Sequence, residues 1–199
     1  MLSSSNAVLM ASGCAILLLV PGPTNTLLAA AGLRAGLRRS AHLTVAELAG
    51  YLISISIWGY CFAHAATSLT WLPTLLRAAS CLYLAWLAVR MWLTASVLPS
   101  SNEGAIGPRA LFGATLLNPK AILFAGTIFP ASAFGDVLTW LEAMAIFTLL
   151  LVPIGLMWIA LGAELGRGRL LRFSPALVHR CASVVVAVFS LSLLRQLVL

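Results

Sequence analysis

The sequence predicts an all-α membrane protein with about six transmembrane helices, arranged as two inverted halves of three helices each. Three observations predict this fold class. First, 61% of the residues are hydrophobic and 9% are charged, whereas a soluble domain carries about 25% charged residues. Second, the apolar residues form long runs, and a helix needs about 20 such residues to cross a bilayer. Third, proline motifs interrupt two of these runs, at matching positions in the two halves.

Six apolar runs give the predicted helices in chain order. Their limits are 5–31, 43–64, 71–94, 110–130, 137–161 and 176–197. The segment 96–108, SVLPSSNEGAIGP, is the most polar and turn-rich part of the chain. It divides a single transmembrane domain, 1–199, into the halves 1–95 and 109–199. Because three crossings reverse the side of the membrane, two related halves of three helices would form an inverted repeat.

The basic residues predict the orientation of the chain rather than a nucleic-acid partner. The net charge is +7, but most basic residues lie between predicted helices, where they mark cytoplasmic loops. We therefore expect loops 1–2, 3–4 and 5–6 in the cytoplasm and both termini outside, although Arg77 and Arg195 fit less well. Membrane lipid is the expected partner of the loop arginines. The residues that set this orientation are Arg34, Arg38, Arg39, Arg109, Arg167, Arg169, Arg172 and Arg180.

The sequence contains no recognisable catalytic or metal-binding pattern. It has no H-E-x-x-H or G-x-S-x-G motif and no facing aspartate pair, so we expect neither an enzyme nor a bound cofactor. The histidines do not converge on a metal-ligand spacing, and the four cysteines are dispersed in apolar runs, where a thiol packs as a small hydrophobe. No residue is therefore assigned a catalytic or metal-ligating role.

The first helix is interrupted by Pro21-Gly22-Pro23-Thr24-Asn25. Two prolines remove two backbone donors, and lipid cannot satisfy the carbonyl groups that lose their partners. Thr24 is expected to cap the half-helix that follows, whose free amides favour an anionic group such as a carboxylate. The alternative is a plain kink that only shapes packing. Polar residues directly after the break favour a substrate-binding role for all five positions.

The fourth helix is interrupted by Asn118-Pro119-Lys120, which contains the only lysine of the chain. Asn118 offers an amide to the broken backbone, and Pro119 removes a donor. A cation at the centre of a transmembrane helix costs about 2.5 to 3.5 kcal/mol, so Lys120 should face a cavity or a partner. It would bind a substrate carboxylate or exchange its charge with a proton. The alternative is a buried structural pair with Glu47 or Glu142.

Glu47 lies early in the second predicted helix, near its cytoplasmic end. It could hold a substrate amine, carry a coupling proton or pair with Lys120. A salt bridge with Arg38 or Arg39 at the membrane surface is an equally good interpretation. The sequence alone leaves these alternatives open.

Taken together, these motifs resemble the LysE-type amino-acid exporter family, which includes the threonine and homoserine exporters. Helix number and order extend the resemblance over the whole chain. Membership implies export of amino acids or related metabolites from a bacterial cytoplasm across the inner membrane. The residues that carry the resemblance are Pro21-Gly22-Pro23 with Leu27 and Leu28, Gly32-Leu33-Arg34-Ala35-Gly36, and Leu117-Asn118-Pro119-Lys120-Ala121 with Phe124.

The resulting hypothesis is a secondary exporter with its site between the two broken helices. The amides after Pro23 and the Lys120 ammonium would hold a carboxylate, while Asn25 and Asn118 orient the substrate and Glu47 contacts its amine or couples a proton. A divalent metal-ion efflux protein of similar architecture is the alternative. It would need carboxylate, His or thiolate ligands in the helices, and the scarcity of Asp and His there argues against it. The sequence leaves the substrate, the coupling ion and the oligomeric state open, a homo-oligomer included.

Overall fold

The computed structural model describes residues 2–69, 71–93 and 107–167, together with some single positions between 180 and 195. All regular structure in these residues is helical. The predicted linker 96–108 and the predicted sixth helix, 176–197, lie largely outside them. The α-helices are α1 (Ser4–Leu19), α2 (Pro23–Ala35), α3 (Leu37–Ser40), α4 (Leu43–Ser68), α5 (Leu72–Leu93), α6 (Pro108–Leu116), α7 (Pro119–Leu123) and α8 (Val137–Gly166). A π-helical turn, Phe124–Ile128, extends α7, and a 3-10 turn, Ala131–Phe134, precedes α8.

Both predicted breaks are present. Helices α1 and α2 meet at an angle of 55°, and α6 meets the segment Pro119–Ile128 at 44°. By length and composition, the described residues contain two helices that could cross a membrane, Leu37–Ala65 and Val137–Gly166, or up to four if each bent pair is one span. The described part of the protein is thus helical, and its helices include some that are long and apolar enough to cross a membrane. The arrangement of six helices in an inverted repeat remains a prediction.

Helices α2 and α8 cross with their backbones almost touching. A Cβ atom added to Gly32 would lie 2.0 Å from the carbonyl oxygen of Ile159. A Cβ atom on Gly162 would lie 1.9 Å from the carbonyl oxygen of Ala29. Small residues at such crossings allow close packing in a bilayer, where burial of apolar side chains does not drive association. The glycines of α2 and α8 therefore fix how the first broken helix sits against α8.

Helix α4 lies against the second broken helix. A Cβ atom on Gly50 would come within 2.7 Å of Thr115 Cβ, so α4 and α6 also pack at close range. Helix α4 continues along α7 and the π-helical turn, and it touches α2 and α8 as well. The two broken helices meet each other through α2 with α6 and through α1 with the π-helical turn. Both breaks consequently face the interior of the helix bundle, beside α4.

A cluster of aromatic rings closes the interior on one side of the breaks. The rings of Tyr51 and Phe124 are 5.6 Å apart, and those of Phe124 and Phe147 are 5.1 Å apart, in edge-to-face arrangements. All three side chains are buried. By contrast, Leu117 and Leu149 are 83% and 74% exposed, as expected for positions that face lipid. The interior is therefore polar at the breaks and apolar where the aromatic cluster packs beside them.

Candidate functional site

The first break runs from the end of α1 at Leu19 to the start of α2 at Pro23. Pro23 occupies the first helical position, where a missing N–H costs nothing and its fixed φ suits the helix. Gly22 is the N-cap, in an extended conformation and without a side-chain capping bond. The expectation that Thr24 caps α2 is therefore wrong, because the helix begins one residue before it. Thr24 lies in the first turn instead and is fully buried.

The carbonyl groups freed at the end of α1 are bound by three side chains. Lys120 Nζ donates to the carbonyl oxygens of Leu17 and Val20 at 2.9 and 2.7 Å. Asn25 Nδ2 donates to those of Leu18 and Val20 at 2.7 and 2.8 Å, and Trp158 Nε1 donates to that of Leu18 at 3.4 Å. Without these donors the oxygens would be buried without a partner, at a cost of about 1 to 3 kcal/mol each. The break is thus sealed by protein groups from both halves of the chain.

The second break is organised by Asn118, which caps α7. Its Oδ1 accepts a hydrogen bond from the Lys120 amide at 3.0 Å, and its Nδ2 donates to the Tyr51 hydroxyl at 2.9 Å. The carbonyl oxygen of Leu116, freed at the end of α6, accepts from Ser54 Oγ at 2.9 Å. Asn118 therefore plays the backbone role expected for it, with help from two side chains of α4.

Lys120 joins the two breaks directly. Its backbone lies in the first turn of α7, while its ammonium reaches the carbonyl end of α1, where positive charge is favoured. The side chain is 1% exposed and passes over Gly22, whose added Cβ would lie 2.9 Å from both Cε and Nζ. The pairing considered with Glu142 is absent, since that carboxylate accepts from the Leu2 amide at 2.7 Å. The backbone carbonyls of α1 are partners that the sequence did not suggest.

Glu47 is buried beside this group rather than at the surface. Its side chain is 1% exposed, and the part of the chain described shows no salt bridge from it to Arg38, Arg39 or Lys120. The Glu47 carboxylate nevertheless interacts with the Thr24 side chain through a hydrogen bond and with the Lys120 charge electrostatically. Its Oε1 has no hydrogen-bond partner. The interpretation as a surface salt bridge is therefore wrong.

Glu47 belongs to a polar face of α4 that sequence analysis recognised only in part. Thr44, Glu47, Tyr51 and Ser54 are all buried, at helical spacings of three and four residues. Such spacing places side chains on one side of a helix, and this side faces both breaks. The spacing itself was the signal that could have identified Thr44, Tyr51 and Ser54. It was hidden because tyrosine and single hydroxyl residues are unremarkable in an apolar run.

The structure brings most of the predicted site residues into one buried group. Thr24 Oγ1 lies 3.4 Å from both Tyr51 OH and Asn118 Nδ2, and Lys120 and Asn25 share the carbonyl of Val20. Among the described residues, Glu47 and Lys120 are the buried charged side chains, one of each sign. The described ranges hold no group of three His, Cys, Asp or Glu residues that could bind a metal ion. Pro21, Pro23 and Pro119 belong to the breaks and set their positions.

This geometry defines a helical membrane protein with a charged, polar interior at two facing helix breaks. A family model described as LysE type translocator matches residues 15–198. The chain therefore belongs to the LysE type translocator family, as its motifs suggested, and is a membrane transporter. Searches among curated proteins and among solved structures found no match.

Proposed function

We propose that this protein is a secondary transporter that exports amino acids or related small metabolites across the bacterial inner membrane. The observation that carries the proposal is the buried pair of opposite charges, Glu47 and Lys120, between two broken helices. An amino acid has the same two charges, and transporters commonly place substrate sites at such breaks, near the midplane of the membrane. The carboxylate of the amino acid would meet Lys120, and its ammonium would meet Glu47.

The carboxylate end would lie at the start of α2, next to Lys120. The first amides of a helix have no partner within the helix and favour an anion. An ammonium has three donors, and Lys120 uses two on the carbonyls of Leu17 and Val20. The third is left for a carboxylate, while Asn25 and Asn118 hold the two breaks in shape around it. Glu47 is left for the amine or for a coupling proton.

Export of divalent metal ions is less well supported. Such ions are bound by several acidic, His or thiolate groups, whereas Glu47 is the one buried acidic residue among those described. The described ranges hold no group of three or more His, Cys, Asp or Glu residues that could bind a metal ion with it. An amino acid needs only one carboxylate here, so it fits the described residues better.

Uptake of labelled amino acids into inverted membrane vesicles tests the proposal. Vesicles that contain the protein should accumulate at least one amino acid above vesicles without it. Glu47→Gln should lower the initial rate about tenfold or more, because a hydrogen bond to a charged group contributes about 1.5 to 3 kcal/mol. Glu142→Gln is the matched control, since that carboxylate lies away from the breaks against Leu2, and it should leave the rate unchanged.

Two results would contradict the proposal. One is the absence of amino-acid uptake together with a Lys120→Ala variant that behaves like the unchanged protein. The other is uptake of a divalent metal ion that amino acids neither accompany nor inhibit, which would favour metal efflux.

A further inference from the structure

Two buried oxygens beside the breaks have no hydrogen-bond partner. They are Thr44 Oγ1 and Glu47 Oε1, and both side chains are at most 3% exposed. They stand three residues apart on α4, so they lie on the same side of that helix. A buried polar atom without a partner costs about 1 to 3 kcal/mol, and native proteins rarely leave one unexplained. Two neighbouring ones point to a ligand group that the structure does not contain.

The missing group includes a hydrogen-bond donor, because Glu47 Oε1 can only accept when the carboxylate is ionised, whereas the Thr44 hydroxyl can donate or accept. The side-chain amide of Asn25 donates to two carbonyls, and that of Asn118 donates to Tyr51 and reaches Thr24. Lys120 likewise donates to two carbonyls. The donors around the breaks are thus largely used, whereas the unused atoms are a carboxylate oxygen and a hydroxyl oxygen. A carboxylate in an apolar setting further favours a donor that carries positive charge.

The surroundings of Thr44 and Glu47 restrict the missing group to a small one. Gly155 of α8 packs directly against both residues: an added Cβ would lie 3.0 Å from Thr44 Cγ2 and 3.2 Å from Glu47 Oε2, closer than ordinary contact, so the two side chains must shift to admit a ligand. Leu28 of α2 lies next to the same position and is fully buried. A primary ammonium has three N–H donors and an apolar attachment, so it matches two oxygen acceptors beside a leucine.

We propose that Thr44 and Glu47 form a subsite for a primary ammonium group. The inference rests on the proposed function and deepens it, because it names the part of the amino acid that is recognised. Compounds that keep the ammonium but lack the carboxylate should therefore bind. Compounds that keep the carboxylate but lack a free ammonium should not.

Thermal unfolding of the purified protein tests this subsite without any transport step. Methylammonium chloride, tetramethylammonium chloride, potassium acetate, sodium chloride and potassium chloride are compared at equal concentration, and tryptophan fluorescence reports the Tm. Methylammonium should raise the Tm by about 2 °C or more relative to potassium chloride, because a ligand that binds only the folded state stabilises it. Tetramethylammonium has the same charge but no N–H donor, so it and acetate should give no rise.

Substitutions locate the effect. Thr44→Val and Glu47→Gln should each abolish the methylammonium shift. The matched controls are Thr148→Val, whose hydroxyl only donates to the Met144 carbonyl within α8, and Glu142→Gln; both should retain the shift. The comparison of methylammonium with tetramethylammonium in the unchanged protein remains decisive if a variant does not fold.

Three outcomes would overturn the inference. The first is an equal rise in Tm with methylammonium and tetramethylammonium. The second is a full rise in Tm with methylammonium in Thr44→Val. The third is a Tm that is higher in sodium chloride than in potassium chloride and depends on Glu47, which would indicate a metal cation site.

Vesicle uptake separates this failure from failure of the proposed function. If amino acids are transported and an N-acetyl amino acid competes as well as an amino-acid amide, only the subsite is wrong. If methylammonium binds through Thr44 and Glu47 but no amino acid is moved, only the proposed export is wrong.

Discussion

At the scale of single residues, Lys120 has a structural role at the first break, and we propose a chemical role for it at the same place. Its ammonium is removed from water, which is costly unless the charge finds good partners. It finds them in the carbonyls of Leu17 and Val20, which need donors because the α1 helix ends there. The same ammonium keeps one donor in the polar interior. The residue that closes the break is therefore also the one that we propose for the substrate carboxylate.

The fit between Lys120 and Gly22 leads to a prediction for Gly22→Ala. The new methyl group would lie 2.9 Å from Cε and Nζ of Lys120, and the flexible end of that side chain can move away. Moving it weakens at least one hydrogen bond of a charged group, so the free energy of unfolding should fall by about 1 to 3 kcal/mol. The Tm of the purified protein, followed by tryptophan fluorescence, measures the change.

Gly107→Ala is a closely matched control for that change. Gly107 is also a helix N-cap in extended backbone followed by proline, but nothing lies within 4 Å of its added Cβ. Its stability should change by no more than about 0.5 kcal/mol. Equal effects of the two substitutions would show that the loss comes from the cap and not from Lys120.

The sequence singled out several residues of the buried polar group but not their partners. Lys120 and Asn118 stood out because a charge and a proline break are rare inside a membrane helix. The carbonyls bound by Lys120 could not be predicted, because every residue has one and only the fold decides which is close. Thr44 and Tyr51 were missed for a similar reason. A single hydroxyl at a helix position gains meaning only when the neighbouring helices are known.

At the scale of helices, the crossing of α2 and α8 holds the first break in position. The backbone carbonyl of Ala29 occupies the space that a side chain at position 162 would need. Because this atom belongs to a helix backbone, it cannot move without shifting α2 as a whole. The crossing is thus rigid in a way that the contact between Gly22 and Lys120 is not.

Gly162→Ala should therefore destabilise the protein although alanine favours helices. The added Cβ would lie 1.9 Å from the Ala29 carbonyl oxygen, and overpacking of this kind costs about 1 to 3 kcal/mol or more. Thermal unfolding in detergent measures the loss. Gly113→Ala in α6 is the control, since nothing lies within 4 Å of its Cβ, and it should be neutral or stabilising by up to about 1 kcal/mol. A stable Gly162→Ala protein would mean that α2 and α8 can separate freely.

Helix starts were easier to predict than helix ends. The predicted starts of α4 and α8 agree with the observed Leu43 and Val137, because a change from polar to apolar residues marks them. The observed helices run on to Ser68 and Gly166, beyond the predicted limits at 64 and 161. Helical hydrogen bonding continues past the apolar run, so hydropathy underestimates the length. Gly36, with φ of 78°, is the C-cap of α2, which ends at Ala35, four residues beyond the predicted limit at 31.

At the scale of the whole molecule, two bent helices at corresponding positions fit a duplicated architecture. The bends of 55° and 44° occur at Pro-containing motifs in the first helix of each half. Their contact, through α2 and α6, places each break beside the other half of the chain. An even number of crossings would then return the C-terminus to the side of the N-terminus. The arginine distribution predicts that this is the outer side.

Reporter fusions at the C-terminus test both the crossing number and the orientation. The scheme has six helices and places the loop of Arg34, Arg38 and Arg39 in the cytoplasm. Alkaline phosphatase fused after Leu199 should then be active, because it matures only outside the cytoplasm. Green fluorescent protein fused at the same point should not fluoresce. Replacing these three arginines by glutamine should lower phosphatase activity, since loop charge sets orientation. Replacing three polar residues of the N-terminal segment, which is predicted to lie outside, by threonine is the neutral control and should change nothing; these residues are Ser3, Ser4 and Ser5. A fluorescent green fluorescent protein fusion together with an inactive phosphatase fusion would contradict the scheme. These two results would place the C-terminus in the cytoplasm, which requires an odd number of crossings or the opposite orientation.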